Sequence, residues 1–202
     1  MTHASAEFLF DFGSPNAYLA HKVIPGIETR TGVRFAYIPV LLGGVFKATG
    51  NKSPMEAFAG IPAKLAYEAK ERDRFVARHG LTRFAPNPHF PVNTLAIMRG
   101  AVAARTIGLF DAYVEAVFAA MWEDGAKMDD PAVIGAVLTA ANLPAERLIA
   151  LTQDQAVKDA LVANTTAAVA RGVFGSPSFF VGDELWFGKD RLAEVEAALV
   201  GA

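Results

Sequence analysis

Strand-forming patterns in this chain of 202 residues lie only at its two ends, and that placement restricts the fold more than any other feature. Near the start, EFLFDF (residues 7–12) and VRFAYIPV (33–40) are aromatic-rich runs closed by glycine or proline, as buried strands are. Between them Ser14 is suited to cap a helix and Pro15 fits its first turn. AYLAHKVIPGIETRTG then keeps helical apolar spacing as far as Gly32, with Pro25 a candidate kink. Strand, helix and strand in so short a span predict one unit with parallel strands. Near the end, SPSFFVGDELWFG (176–188) holds two short runs around Gly182 and Asp183, a hairpin by its turn residues. Asp190 is then placed to cap a last helix, RLAEVEAALV.

What lies between reads as helix and loop. LLGGVFKATGNKSP (41–54) has the Gly, Asn and Pro density of a loop, and Ser53, Pro54 and Glu56 form a capping-box pattern that starts a helix. AKLAYEAKERDRFVARHG is a charged amphipathic helix stopped by Gly80, and TRFAPNPHFP is an extended Pro-rich loop ending near Asn93. TLAIMRGAVAARTIG, LFDAYVEAVFAAMWEDG, the segment opened by Asp130 and Pro131, PAERLIALTQ and VKDALVANTTAAVARG read as five further helices. The expected order is βαβ, a helical insert, then ββα, an α/β chain that matches a thioredoxin-like fold with a large all-helical insertion. Its thioredoxin-like part is expected at residues 1–45 and 165–202, and the inserted helical domain at 46–164.

Composition narrows the chemistry. Nineteen Lys and Arg against 21 Asp and Glu offer no field for phosphate backbones or anionic lipid, so neither nucleic acid nor membrane is an expected partner. The opening residues lack the pattern of a signal peptide, which makes a cytoplasmic protein the default. Cysteine is absent, which excludes disulfides, thiolate metal sites and redox chemistry on the chain's own sulfur. His3, His21, His79 and His89 have no metal-ligand spacing, so no metal is expected.

Ser14 stands where a parallel strand turns into a helix. Free amide N–H groups and the helix dipole favour an anion there by about 0.3–1 kcal/mol, and ordinary helix capping explains the same residue. Pro177, before the first strand of the hairpin, occupies the place of the cis proline of thioredoxin-like folds; a plain turn proline fits the local sequence as well.

The strings SPNAYLA, PVLLGGVFKATGN, FPVNTL and GVFGSPSFFVGDELWFGKDRL together resemble the 2-hydroxychromene-2-carboxylate isomerases, relatives of the kappa-class glutathione transferases, over nearly the whole chain. The resemblance implies that Ser14 replaces the first cysteine of a disulfide oxidoreductase, with Ala17 at the second, and that the working sulfur comes from glutathione. It implies that Asn51 and Lys64 hold the glycine end of that cofactor, that Ser176, beside Pro177, pairs with its cysteinyl main chain, and that Gly188, Lys189 and Asp190 of GKDRL receive the γ-glutamyl end. Asn51 also reads as a turn residue, and Lys64 as half of a helix pair with Glu68. Two positions depart from the family: Ser176 replaces an apolar residue, and Lys189 replaces a serine of the kappa class.

Phe46 and Lys47 offer an aromatic wall and a cation for an aromatic substrate's carboxylate, and the resemblance places His89 near the substrate mouth. The expected activity is glutathione-dependent isomerisation of an aromatic unsaturated 2-oxo acid, and the expected assembly is a homodimer. A kappa-type transferase or peroxidase, and a non-catalytic thioredoxin-like binding module, are the competing readings.

Overall fold

The computed structural model describes residues 5–201; His3 and the outermost residues of the expected thioredoxin-like part lie outside the described residues. The chain runs β1 (Ala6–Phe10), α1 (Pro15–Thr31), β2 (Phe35–Pro39), α2 (Leu42–Thr49), α3 (Pro54–Ala57), α4 (Pro62–His79), α5 (Leu95–Thr106) and α6 (Phe110–Trp122). It continues through α7 (Pro131–Ala140), α8 (Ala145–Leu151), α9 (Gln155–Ala170), β3 (Ser178–Val181), β4 (Glu184–Phe187) and α10 (Leu192–Val200). The sheet order is β2-β1-β3-β4, with β1 parallel to β2 and antiparallel to β3. The βαβ…ββα frame and its helical insertion follow the expected order, and Ser176–Pro177 is cis, as is Phe90–Pro91.

The two faces of the sheet carry different loads. Phe8 and Phe10 point to the larger core, where Phe10 and Phe12 pack against Phe118 of α6 at ring separations of 5.6 and 4.8 Å. Leu9, between them in sequence, points the other way with Val40, Phe180 and Ala168 of α9, as the two-residue period of a strand requires. The inserted helices therefore lean chiefly on the α1 face. The remaining face is closed by α9 and α2.

Two expectations are corrected. Residues 42–49, read as loop, form α2: Val45 is wholly buried beside Leu9 and Phe180, and Gly44 lets the helix lie on α9, since a Cβ there would stand 3.2 Å from Thr165 Cγ2. The glycines read as loop formers are thus within a helix. Asp190 is not the cap of α10; that helix begins after a 3-10 turn at Lys189–Arg191, with Arg191 at the cap position. Helices α2 and α9 run through the expected domain joins near residues 45 and 165.

Helix α5 packs against α6 through a glycine. A Cβ on Gly100 would lie 2.0 Å from the Tyr113 hydroxyl, which donates to Ile97 O at 3.0 Å. Helix propensity alone favours Gly→Ala by about 1 kcal/mol. Here the fixed aromatic wall decides, and Gly100→Ala should instead destabilise by about 1–3 kcal/mol in denaturant unfolding.

On the outer side of α1, His21 Nε2 bonds Glu115 at 2.8 Å, and Lys22 pairs with the same carboxylate. The His21 hydrogen bond, with Lys22 assisting, holds the Glu115 carboxyl down at about 2, from an ordinary value of 4.5. A depressed acid contributes stability above its unfolded value that is lost as pH falls through its folded one. The urea midpoint should therefore decline between pH 4.5 and about 2, and Glu115→Gln should flatten that decline.

Candidate active site

The exit of β1 is a segment in which nearly every polar backbone group has a fixed partner. Phe10 O accepts from Val40 N at 3.0 Å, Phe12 N donates to Met98 Sδ at 3.4 Å, and Phe12 O accepts from Trp122 Nε1 at 2.7 Å. Gly13 lets its backbone lie close against α5's entry: a Cβ would stand 3.0 Å from Thr94 Cγ2, which would have to give way. This bracing aims the next residue, Ser14.

Ser14 caps α1 with extended backbone, its Oγ accepting from Ala17 N at 3.2 Å. The same hydroxyl donates to Ser176 O at 2.9 Å, which joins the helix start to the cis-proline strap before β3. Both serines are nearly enclosed, at 5% and 9% exposure. Ser14 N donates to Asp11 O, and Ala17 N and Tyr18 N to Ser14 O. Pro15 has no amide hydrogen. Among the described residues this leaves the half-buried Asn16 N–H as the first-turn donor without an acceptor. An anion beside Ser14 would thus meet a hydroxyl, one open amide and the positive end of a seventeen-residue helix.

Asp11 is the group that the sequence reading missed. It is wholly buried, and its carboxylate accepts from Gly13 N at 2.8 Å, Leu42 N at 2.7 Å and Thr94 Oγ1 at 3.1 Å. Burial pushes its carboxyl above the ordinary 3.8, opposed by the bonds from Gly13, Leu42 and Thr94. Its own N–H donates to Ser176 Oγ at 3.1 Å. Its place in the sequence, between Phe10 and Phe12, gives no sign of the distant partners at Leu42, Thr94 and Ser176.

The other candidates attach to this frame at differing distances. Gly188, at φ 95°, donates its N–H to Pro177 O at 3.0 Å, so the GKDRL turn is anchored on the strap. Lys189 is buried, bonds Asp190 Oδ1 at 2.6 Å and lies 4.9 Å from the Phe75 ring centre; Asp190 remains exposed. Asn51 Nδ2 donates to Phe174 O at 2.8 Å, tying the loop after α2 to the strap's approach, while its Oδ1 also accepts from Lys52 N. Lys64 stands 3.5 Å from the Phe58 ring centre, and among the described residues no ion pair joins it to Glu68. Half-buried Phe46 and exposed Lys47 sit on α2, and exposed His89 in the loop before α5; no hydrogen bond links their side chains to the serines among the described residues. A cleft of about 350 Å³ beside Leu95 and Arg99 and a smaller one of about 150 Å³ sharing those residues do not include Ser14.

Among the described residues no group of three His, Asp or Glu is arranged to hold a metal ion, and no helix is long and apolar enough to cross a membrane.

The model of the DSBA-like thioredoxin domain matches residues 6–200. A 2-hydroxychromene-2-carboxylate isomerase of Pseudomonas sp. (strain C18) is 29% identical over 97% of this chain and 90% of its own. The human glutathione S-transferase kappa 1 is 26% identical over 98% of this chain and 91% of its own. A solved structure of a 2-hydroxychromene-2-carboxylate isomerase superposes with a TM-score of 0.80 at 29% identity, covering 96% of this chain and 93% of the other.

Ser176→Ala removes the acceptor of the buried Asp11 N–H. Leaving that donor unpaired should cost about 1–3 kcal/mol, read as a lower denaturant midpoint with an unchanged slope.

Proposed function

The chain belongs to the DSBA-like thioredoxin domain family, and on that premise we propose that it is a glutathione-dependent isomerase. Its substrate is an aromatic unsaturated 2-oxo acid of the kind interconverted as 2-hydroxychromene-2-carboxylate and trans-o-hydroxybenzylidenepyruvate. One observation carries the reading. In a chain without cysteine, an alcohol occupies the head of α1 with its hydroxyl turned to the cis-proline strap. The whole-chain relatives named as isomerases and kappa transferases support it.

The donor set fits a thiolate rather than a peptide's side chain. A free thiol with a pKa of about 8.5 is only slightly ionised at neutral pH, and donors that bond the anion raise that fraction. Ser14 Oγ–H, released from Ser176 O, and Asn16 N–H are the donors to the sulfur. Ala17 N–H keeps the oxygen in place while its hydrogen turns. Ser176 N–H has no acceptor among the described residues and is open to main-chain pairing with an extended tripeptide. Asp190 receives the γ-glutamyl amine, and Lys189, once turned from Asp190, its carboxylate; Asn51 and Lys64 hold the glycine end.

When bound, glutathione supplies a sulfur nucleophile whose reversible addition to the conjugated C=C leaves a single bond free to rotate. The protein's part is to stabilise charge at both ends of that event. Ser14 and Asn16 hold the sulfur as nucleophile and as leaving group, while Lys47, exposed on α2, faces the substrate carboxylate and the negative charge developing on the keto oxygen. Phe46 walls the ring and His89 stands at the mouth. The reading extends to a cytoplasmic homodimer with neither nucleic acid nor membrane as partner.

The human kappa-class relative favours a second reading, transfer of glutathione to another electrophile, or reduction of a hydroperoxide to the alcohol and water by two glutathione molecules that leave as their disulfide. Turnover of unsaturated oxo acids against aryl halides and hydroperoxides, each with glutathione, separates the two. Failure of calorimetry to detect glutathione would favour a binding module. Ser14→Ala should lower kcat by about 10²–10³-fold, as loss of an oxyanion donor does, with only about 1 kcal/mol lost from the helix cap. An unchanged rate would overturn the assignment.

A further inference from the structure

Asp11 uses all four of its polar atoms inside the protein. Its N–H donates to Ser176 Oγ, its carbonyl accepts from Ser14 N, Oδ1 accepts from Gly13 N, and Oδ2 accepts from Leu42 N and Thr94 Oγ1. Those partners come from the cis-proline strap, the turn into α1, the turn into α2 and the entry to α5. No Lys, Arg or His pairs with the carboxylate among the described residues. A buried carboxylate satisfied by neutral donors alone is a costly arrangement, more than a turn of this kind needs for stability. Its yield is geometric. Closing Asp11–Ser14 through both side chain and main chain turns the Gly13 and Ser14 amides inward, which leaves the Asn16 amide without an acceptor among the described residues and the Ser14 hydroxyl turned to Ser176 O on the strap.

We propose that Asp11 is a positioning residue: by gathering the strap, both helix-entry turns and Thr94 onto one carboxylate, it fixes the Ser14 hydroxyl and Asn16 amide in the arrangement that receives the sulfur. The proposal rests on the glutathione reading for its ligand, and its structural half stands without it.

Asp11→Asn tests it, because an amide places an N–H₂ group against Gly13 N–H, Leu42 N–H or Thr94. In the ligand-free protein, hydrogen exchange at the Gly13, Ser14 and Leu42 amides should accelerate about tenfold or more, while the β3 amides stay protected. With glutathione, the ultraviolet absorbance of the bound thiolate at neutral pH should fall about threefold. kcat should fall about tenfold with the glutathione KM little changed, because misplacement acts on the reacting atom rather than on the tripeptide's ends. Thr94→Val, which removes one donor and keeps the shape, should move each readout the same way by a smaller factor and decides the matter if Asp11→Asn does not fold.

Wild-type exchange and wild-type thiolate absorbance in a folded variant would overturn the proposal. A larger thiolate fraction would also overturn it, since Asp11 would then act as a charge opposing the bound anion. If wild-type protein itself shows no bound thiolate, the glutathione reading fails, and the exchange comparison still decides whether Asp11 positions the turn.

Discussion

Asp11 sits where β1 leaves the sheet, enclosed on all sides, and the placement of nearly everything around Ser14 follows from how its charge is satisfied. Because no cation among the described residues pairs with it, satisfaction there comes from dipoles, and dipoles must be brought close and held at fixed angles. That requirement draws Leu42 N at the head of α2 and Thr94 at the head of α5 to one point, although they lie far apart in the chain. The thioredoxin-like frame and the inserted helices are thus joined at the site by a shared acceptor as well as by the aromatic packing of Phe10 and Phe12 on Phe118.

The strap is secured from both sides. Ser176 accepts from Asp11 N through Oγ and from Ser14 Oγ through its carbonyl, while Pro177 O accepts from Gly188 N. Gly175 lets the Phe187 ring lie over the strap, since a Cβ would stand 2.7 Å from that ring and force it aside. The hydroxyl of Ser176 therefore has an evident structural use: it accepts from the buried Asp11 amide just beyond the end of β1.

Much of this frame was legible in the sequence because it rests on local rules. The aromatic strand, the Ser-Pro helix start, the capping box at Ser53 and the Gly-Asp hairpin each satisfy requirements contained within a few neighbouring residues, and each forms as read. What escaped reading depends on tertiary contact. Gly43 and Gly44 look like loop residues until Thr165 of α9 is seen to lie against Gly44, and Asp190 looks like a cap until Gly188 is seen anchored on Pro177, with Asp190 in the 3-10 turn that follows. Asp11 was unreadable for the same reason, as its partners at Leu42, Thr94 and Ser176 come from distant segments.

The alcohol at the head of α1 also changes what can damage the site. Oxidants and alkylating agents disable thiol-bearing relatives by consuming the sulfur that does the work. On the proposed reading that atom would arrive and depart with a replaceable small molecule, so an encounter with such a species would use up a soluble tripeptide and leave the polypeptide intact. Vulnerability would then move from the protein to the pool that supplies it.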